Sequence, residues 1–231
     1  MPAGSYLAPR DRLALALDVD DLVAATRLVR ELKDWFGVAK AGLELYAAAG
    51  PDAVFALLEQ DCRVFLDVKL HDIPTTVARA ARVIGAFGAS FLTLHAAGGV
   101  DMLRAGVEGL AEGAARAGLQ APVALAVTIL TSDGAAPSDI LGEHVRRAVE
   151  AGCGGVVCAA ADVARVKSLA PQLIAVVPGI RLAGEPRHDQ ARVATPVEAL
   201  AAGADILVIG RAVTAAPDHV AAAAALVATI S

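Results

Sequence analysis

Charged side chains recur near the ends of three short apolar runs in the first third of the sequence. Asp18 ends the run LALALD, Lys40 lies in GVAKA, and the run VFLDVK carries Asp67 and Lys69. Side chains alternate along a strand, so Asp67 and Lys69 should point to the same face. Unpaired buried charges are costly, so these residues predict a paired, preorganised network. A structural ion pair is the simpler interpretation, but Asp72 in the next loop makes the whole set favour a functional site.

An alternation of short apolar runs with longer alanine-rich helical stretches must position these residues. The eight strand candidates are residues 13–18, 37–41, 63–69, 91–95, 123–129, 155–158, 174–177 and 206–209. Continuous apolar strands indicate a parallel sheet that is covered by helices. Eight β–α units in one domain favour a closed α/β barrel, the (β/α)8 or TIM barrel, and a doubly wound open sheet is the alternative. In such a barrel the active site lies at the C-terminal ends of the strands, where the charged residues fall.

The domain organisation follows from the absence of any linker or low-complexity stretch. We expect one domain over residues 1–231, with about residues 1–11 as an N-terminal extension. Pro51, which follows a glycine, is placed to begin a helix. Residues 195–198 read TPVE, which is the pattern of a capping box. Residues 212–230 are predicted to form one long apolar helix that closes the barrel.

Composition limits the classes of partner and the compartment. The net charge is −5 and no Lys/Arg cluster stands out, so neither nucleic acid nor an anionic membrane is an expected partner. No apolar run reaches the ~20 residues that span a bilayer. Residues 1–12 lack the basic start and apolar run of a signal peptide. Cys62, Cys153 and Cys158 do not have zinc-site spacing and are expected to be buried free thiols, typical of a reducing cytosol. We therefore expect a soluble cytoplasmic protein.

Two glycine-containing segments near the C-terminal end predict a phosphate site. Residues 177–181 read VPGIR and residues 209–212 read IGRA. Barrel phosphate sites commonly form from the loops after strands seven and eight, where backbone N–H groups point towards the ligand. Gly210 would permit close backbone approach, and Arg211 would supply a bidentate cation. A plain strand-to-helix turn with a solvated arginine is the alternative, but two such loops at the expected positions favour phosphate.

The ordered motifs of nearly the whole chain resemble those of one known family. Residues 67–77, DVKLHDIPTTV, look like the signature D-x-K-x-x-D-I-P-x-T-V of orotidine 5′-monophosphate decarboxylases. The other matching motifs are ALDVD (16–20), KAGLELY (40–46), LHAAGG (94–99), LTS (130–132), PGIR (178–181), DQARVATP (189–196) and VIGRAVT (208–214). Other sugar-phosphate barrels share a variant of the central motif, whereas the ordered set is highly specific. Two positions depart from the family, Thr75, where asparagine is more usual, and EPRH before residue 189, and we assign chemistry to neither.

The resemblance implies a carboxy-lyase that converts orotidine 5′-monophosphate to UMP and CO2 in de novo pyrimidine biosynthesis, without metal or organic cofactor. Its catalytic set carries over as Lys40, Asp67, Lys69 and Asp72. Lys69 would protonate C6 of the pyrimidine, and Asp67 would repel the substrate carboxylate so that loss of CO2 relieves strain. Lys40 and Asp72 would hold the lysine ammonium and the ribose hydroxyls in place.

The resemblance also implies how the nucleotide is held. Asp18 would accept hydrogen bonds from the ribose, and Thr131 would contact the pyrimidine edge. From the residues alone, Thr131 could equally be a turn threonine with a local backbone bond. Gln190 would be the main phosphate ligand of the polar segment 182–194, which we interpret as a lid. Arg181 would support the base of that lid.

The family resemblance further implies a homodimer with shared active sites. Asp72, accompanied by Thr76 on the same loop, would reach into the site of the partner subunit. His71 and His95 lie close to these motifs and are interpreted as structural residues, the second satisfying an internal hydrogen bond.

Two other functions remain as alternatives. The first is a related sugar-phosphate decarboxylase or aldolase-like synthase on the same barrel, which would need Mg2+. The charged set together with Thr131 and Gln190 suits a nucleotide better. The second is a barrel kept only for ligand binding or assembly, which would predict damage to the charged array, and the sequence shows none.

Overall fold

Parallel strands close into a barrel in the computed structural model, which describes residues 8–130, 138–181 and 193–230. The strands are β1 Leu13–Leu17, β2 Val38–Gly42, β3 Arg63–Leu70, β4 Phe91–His95, β5 Val123–Val127, β6 Gly155–Val157, β7 Ile174–Val177 and β8 Ile206–Ile209. Each strand pairs with its neighbour in sequence, and β8 pairs with β1. The eight predicted strands and the (β/α)8 barrel are therefore confirmed, and the open sheet is excluded.

Helices follow the strands and cover the outer face of the barrel. They are α1 Leu22–Leu32, α2 Leu43–Ala49, α3 Pro51–Leu58, α4 Pro74–Gly85, α5 Gly99–Ala117, α6 Ser138–Glu150, α7 Ala160–Leu169, α8 Pro196–Ala201, α9 Arg211–Thr214 and α10 His219–Ala228. Short 3-10 turns span Pro9–Arg12 and Ala96–Gly98. Over the described ranges, no helix combines the length and apolar character that a membrane span requires.

Two local signals in the sequence are confirmed, and one is corrected. Pro51 begins α3. The capping box at α8 forms because the Thr195 hydroxyl accepts the Glu198 N–H at 3.3 Å while the Glu198 carboxylate accepts the Thr195 N–H at 2.8 Å. The single helix expected over 212–230 is wrong, since α9 and α10 are separate. Pro217 cannot continue a helix, and Asp218 begins a new one by accepting the N–H of Ala221.

Alternation along the strands divides the core into an inner and an outer layer. The inner layer consists of Ala14, Ala16, Val38, Phe65, Phe91, Leu125, Val176, Ile206 and Val208. Phe65 and Phe91 pack edge to face, with ring centroids 6.0 Å apart. Each of Val38, Phe65 and Phe91 is followed two positions later by a polar residue on the same inward face of its strand. These polar residues are Lys40, Asp67 and Thr93. The apolar interior of the barrel therefore ends in a polar layer at the C-terminal ends of the strands.

Helices α4 and α5 touch through glycines. A Cβ atom at Gly113 would lie 1.9 Å from the carbonyl oxygen of Arg82, and one at Gly109 would lie 2.4 Å from that of Ala78. Only glycine permits this backbone approach. The contact fixes α4, which begins two residues after Asp72 and contains Thr76.

The cysteines of the chain are free thiols, as predicted. Cys153 and Cys158 are buried, but Cys62 is partly exposed, contrary to the expectation that every thiol is buried. Burial raises the pKa of the Cys153 thiol to about 12. This thiol is therefore protonated at neutral pH.

Candidate active site

Four charged side chains form a continuous chain of ion pairs across the ends of β1, β2 and β3. Lys69 Nζ lies 2.8 Å from Asp67 Oδ1, and Lys40 Nζ lies 3.6 Å from Asp67 Oδ2. Lys40 Nζ also lies 3.3 Å from Asp18 Oδ1. The network expected from the positions of these residues in the sequence is present, with Asp67 held between two ammonium groups.

The central side chains of the cluster are largely buried, and Asp18 at its edge is exposed. The side chains of Lys40 and Asp67 are 10% and 15% exposed, whereas that of Asp18 is 62% exposed. Burial raises the pKa of Asp67, but the charges of Lys40 and Lys69 and hydrogen bonds from Lys69 and Thr93 outweigh burial and leave the pKa below its ordinary value. Asp67 is therefore a carboxylate at neutral pH.

The backbone at Lys69 departs from the regular strand that the sequence predicted. Its φ is +49°, in the left-handed region that residues other than glycine seldom adopt. Leu66 pairs with Leu92, but Leu70 pairs with Leu94, so β3 carries three residues where β4 carries one. The ion pair between Asp67 and Lys69 therefore lies where the regular pairing of β3 with β4 is interrupted. Left-handed backbone costs about 1–2 kcal/mol, and such strain is concentrated at functional sites.

Two residues that sequence reasoning missed complete the cluster. Thr93, which is fully buried, accepts the Lys69 N–H at 2.9 Å and donates its hydroxyl to Asp67 Oδ1 at 3.0 Å. A Cβ atom at Gly42 would lie 3.1 Å from Lys40 Nζ, so the glycine leaves room for the ammonium group. Thr93 lies two positions after inward-facing Phe91 on β4, so alternation along the strand could have predicted that its side chain points into the barrel.

A cavity of about 200 Å3 opens at this end of the barrel. It is lined by Ala16, Asp18, Lys40, Phe65, Asp67, Lys69, Val127, Ile129, Leu130, Val157, Cys158, Pro178, Gly179, Arg181, Val208, Gly210 and Arg211. The charged residues of β1 to β3 and the residues that follow β7 and β8 are thus brought into one site. The ends of β5 and β6 contribute an apolar wall. A ligand with an anionic end and a partly apolar body would match this lining.

The predicted phosphate residues lie on the side of the cavity formed by β7 and β8. A Cβ atom at Gly210 would lie 3.5 Å from Ala16 Cβ and 3.7 Å from Asp18 Oδ2, so a larger side chain at this position would occupy the cavity. Arg181 is buried and donates from Nη1 to the carbonyl oxygen of Ile180 at 2.8 Å. Its Nε has no hydrogen-bond partner in the described part of the chain.

Two predicted site residues, Asp72 and Thr76, do not line the cavity in the described part of the chain. Both are exposed, and Asp72 Oδ1 accepts the N–H of Ile73 at 2.7 Å. Thr131 and Gln190 lie outside the described residues, as does most of the predicted lid.

His71 and His95 stack on one another, with ring centroids 5.1 Å apart. The internal hydrogen bond expected of His95 is present, since its Nδ1 accepts the N–H of Ala97 at 3.3 Å. Neither ring lines the cavity. Over residues 8–130, 138–181 and 193–230, no group of three or more His, Cys, Asp and Glu side chains is arranged to hold a metal ion.

Comparisons with known proteins give one consistent family. The family model described as "Orotidine 5′-phosphate decarboxylase / HUMPS family" matches residues 11–226. An orotidine 5′-phosphate decarboxylase of Anaeromyxobacter sp. (strain K) is 46% identical over 96% of this chain and 99% of its own length. One of Moorella thermoacetica is 47% identical over 96% of this chain and 92% of its own length. The crystal structure of orotidine 5′-phosphate decarboxylase from Lactobacillus acidophilus has a TM-score of 0.79 and 33% identity, covering 94% of this chain and 97% of that one.

Proposed function

The chain belongs to the orotidine 5′-phosphate decarboxylase / HUMPS family, and from this premise we propose which residues carry its reaction. The chain is a carboxy-lyase that converts orotidine 5′-monophosphate to UMP and CO2. The observation that supports a site assignment best is the Lys40–Asp67–Lys69 cluster on the wall of the cavity. These residues act directly on the carboxylate and on C6.

Lys69 is the proton donor in this proposal. When the bond between C6 and the carboxylate breaks, its electron pair remains on C6 and CO2 leaves. The pair then takes a proton from Lys69 Nζ, giving UMP, and solvent returns a proton to the amine. The contact of 2.8 Å with Asp67 holds the ammonium group before substrate arrives, so little reorganisation is needed in the transition state.

Asp67 acts on the departing group. Its pKa is lowered by Lys40 and Lys69 despite burial, so a full negative charge lies in the cavity when the substrate carboxylate enters. Two like charges at close range repel, and departure of neutral CO2 removes that repulsion. Charge that develops on C6 is then stabilised by the ammonium groups of Lys40 and Lys69.

The phosphate and ribose are held by residues around the rest of the cavity. Arg211 pairs with the phosphate, and Gly210 leaves room for it. The buried Nε of Arg181, which has no hydrogen-bond partner in the described part of the chain, donates to a bound anion. Asp18, held by Lys40, accepts from a ribose hydroxyl. By family match Thr131 contacts the pyrimidine edge and Gln190 the phosphate.

A homodimer completes the site in this proposal. Asp72 and Thr76 are exposed in one chain and do not line its own cavity, which supports a role in a neighbouring subunit. Ile73, which lies between them in the sequence, is 66% exposed in one chain and would be covered in such a dimer. We further propose that the enzyme works in the cytoplasm and has no nucleic-acid partner, in keeping with its net charge of −5.

A spectrophotometric assay tests the proposal. Purified protein is given orotidine 5′-monophosphate in excess EDTA, and loss of substrate absorbance is followed together with release of CO2. We expect full turnover with the chelator, because the proposed chemistry uses only side chains. No absorbance loss at any protein concentration would end the hypothesis. Activity that needs added Mg2+ would instead favour the sugar-phosphate synthase alternative.

A further inference from the structure

The Thr93 hydroxyl links the catalytic carboxylate to the strained backbone of the lysine. It donates to Asp67 Oδ1 at 3.0 Å and accepts the Lys69 N–H at 2.9 Å. We infer that Thr93 is a positioning residue for the reaction, which holds the Asp67 carboxylate and the Lys69 backbone in the geometry that the chemistry needs. This inference rests on the proposed function of Lys69 and Asp67.

The irregularity in β3 creates the need for such a residue. Between the pairs Leu66–Leu92 and Leu70–Leu94, Thr93 is the single β4 residue opposite three residues of β3. Strand pairing therefore does not provide a regular carbonyl partner for every N–H in this stretch. The Thr93 side chain takes the place of that partner for Lys69, in an interior where an unmade hydrogen bond is costly.

One hydroxyl thereby fixes two parts of the site relative to each other. Asp67 Oδ1 accepts from both Thr93 Oγ1 and Lys69 Nζ, while Lys40 approaches Oδ2. The carboxylate plane is thus defined from β2, β3 and β4 together. Thr93 does not line the cavity, so its effect passes through Asp67 and Lys69 and not through contact with substrate.

The Thr93 side chain is fully buried, so no role at the protein surface accounts for these contacts. Valine would fill the same space and serve packing equally well. Valine can neither accept from Lys69 nor donate to Asp67. Serine keeps the hydroxyl and loses only a methyl group. The pair of substitutions therefore separates the hydroxyl from the volume.

Single-turnover decarboxylation with enzyme in excess tests the inference. Thr93→Val should slow the chemical step by roughly 10- to 100-fold, because small misplacements of reacting groups carry losses of that order, while KM changes by less than about threefold. Thr93→Ser should stay within about threefold of the unmodified protein. If Thr93→Val does not fold, Thr93→Cys, with only a weak donor, replaces it and should be slow as well.

The pH at which activity is lost on acidification distinguishes positioning from packing, because a role in packing alone would not shift that pH. Asp67 faces the ammonium groups of Lys40 on β2 and Lys69 on β3, and Asp18 faces Lys40 from the end of β1. Removal of a hydrogen bond to the charged carboxylate raises its pKa. Thr93→Val should therefore lose activity at a higher pH than Thr93→Ser as the solution is acidified.

Thr128→Val is the matched control, since buried Thr128 donates to the carbonyl oxygen of Val157 and makes no contact with Asp67. This substitution should lower the melting temperature of the protein and leave unchanged the pH at which activity is lost on acidification. A Thr93→Val variant with the unmodified chemical rate, or a Thr93→Ser variant as slow as valine, overturns the inference. Absence of turnover in the unmodified protein would overturn the proposed function instead.

Discussion

Lys69 Nζ lies 2.8 Å from Asp67 Oδ1, and the backbone at Lys69 has a φ of +49° in place of an extended strand conformation. The second oxygen of the same carboxylate faces Lys40 Nζ at 3.6 Å. The two cations therefore hold one anion from two sides. With Asp18, which pairs with Lys40, the cluster has two positive and two negative charges, so removal of any one leaves a net charge in a mostly buried place.

Replacement of Lys69 should remove the proposed proton donor without unfolding the protein. Lys69→Ala should lower kcat by at least about a hundredfold while UMP still binds, because the role of the ammonium group is in the transition state. The measurement is the absorbance assay, with UMP affinity determined by calorimetry. Exposed Lys33, at the end of α1, provides the control Lys33→Ala, which should keep full activity. Retention of more than about a hundredth of the activity by Lys69→Ala would assign the proton to another group.

Replacement of Arg211 should weaken binding of phosphorylated ligands selectively. Arg211→Ala should reduce the affinity for UMP by roughly 2–4 kcal/mol, because a charge-assisted pair with the phosphate is lost. Uridine, which has no phosphate, should lose far less, and both affinities can be measured by calorimetry. Exposed Arg165→Ala serves as the control for loss of a cation. Equal losses for UMP and uridine would mean that the phosphate binds elsewhere.

The stability of the protein should depend on the ionisation of Asp67 only in acid. Because the folded-state pKa of Asp67 is lowered from 3.8, its charge stabilises the fold above that value, and the contribution is lost as pH falls through the folded pKa. The difference in free energy of unfolding between the unmodified protein and Asp67→Asn should be constant between about pH 7 and about pH 5 and should shrink below about pH 4. Urea unfolding at each pH measures it, with exposed Asp34→Asn as control. A difference that grows on acidification would contradict the direction of the pKa shift.

Subunit mixing should reveal whether Asp72 serves the partner. Lys69→Ala and Asp72→Asn homodimers should each be nearly inactive. If the subunits exchange at random, about half of the dimers are mixed, and each of these has one site with both groups intact and one with neither. About a quarter of all sites should therefore regain activity.

The control for this mixing experiment is each variant mixed with itself, and exchange of subunits is verified with a tagged chain. If Asp72 acts in its own chain, every site in the mixture remains defective and no activity returns. That result, with exchange demonstrated, would reject the shared site.

Thiol reagents should distinguish the cysteines by their burial. A pKa of about 12 keeps Cys153 protonated at about pH 8, and the reactive form of cysteine is the thiolate. In the native protein, Cys62, which is partly exposed, should be labelled by iodoacetamide before Cys153. Mass spectrometry of the digested protein reports each site, and labelling in urea provides the reference for full reaction. Faster labelling of Cys153 would show that its surroundings open readily.

The strands and the charged cluster were predictable because both leave marks in the local sequence. Continuous apolar runs identify strands that are covered on both faces, and the carboxyl ends of such strands meet at one edge. Asp18, Lys40 and Asp67 can therefore be placed together from their positions in the chain alone. The division between α9 and α10 was also visible, since Pro217 and Asp218 are a helix stop and a helix start.

The conformation of Lys69 could not be predicted in the same way. Its left-handed backbone is set by the pairing of β3 with β4 and by the Thr93 hydroxyl, which lies 24 positions away in sequence. Alternation along β4 places the Thr93 side chain inside the barrel, but it does not show which groups the hydroxyl contacts. The role of Asp72 is non-local in a further sense, since its proposed target belongs to another chain.

The pairing of β8 with β1 has a consequence for the folding of the enzyme during its synthesis. Gly210 becomes a neighbour of Asp18 only when the barrel closes, a closure that also joins Arg12 Nη2 to the carbonyl oxygen of Ala204 across 192 positions. A nascent chain that has emerged only as far as β4 already carries Lys40, Asp67 and Lys69 but lacks Gly210 and Arg211, which are proposed to hold the phosphate. On the proposed site assignment, turnover therefore cannot begin during synthesis, before the last strand has docked against the first.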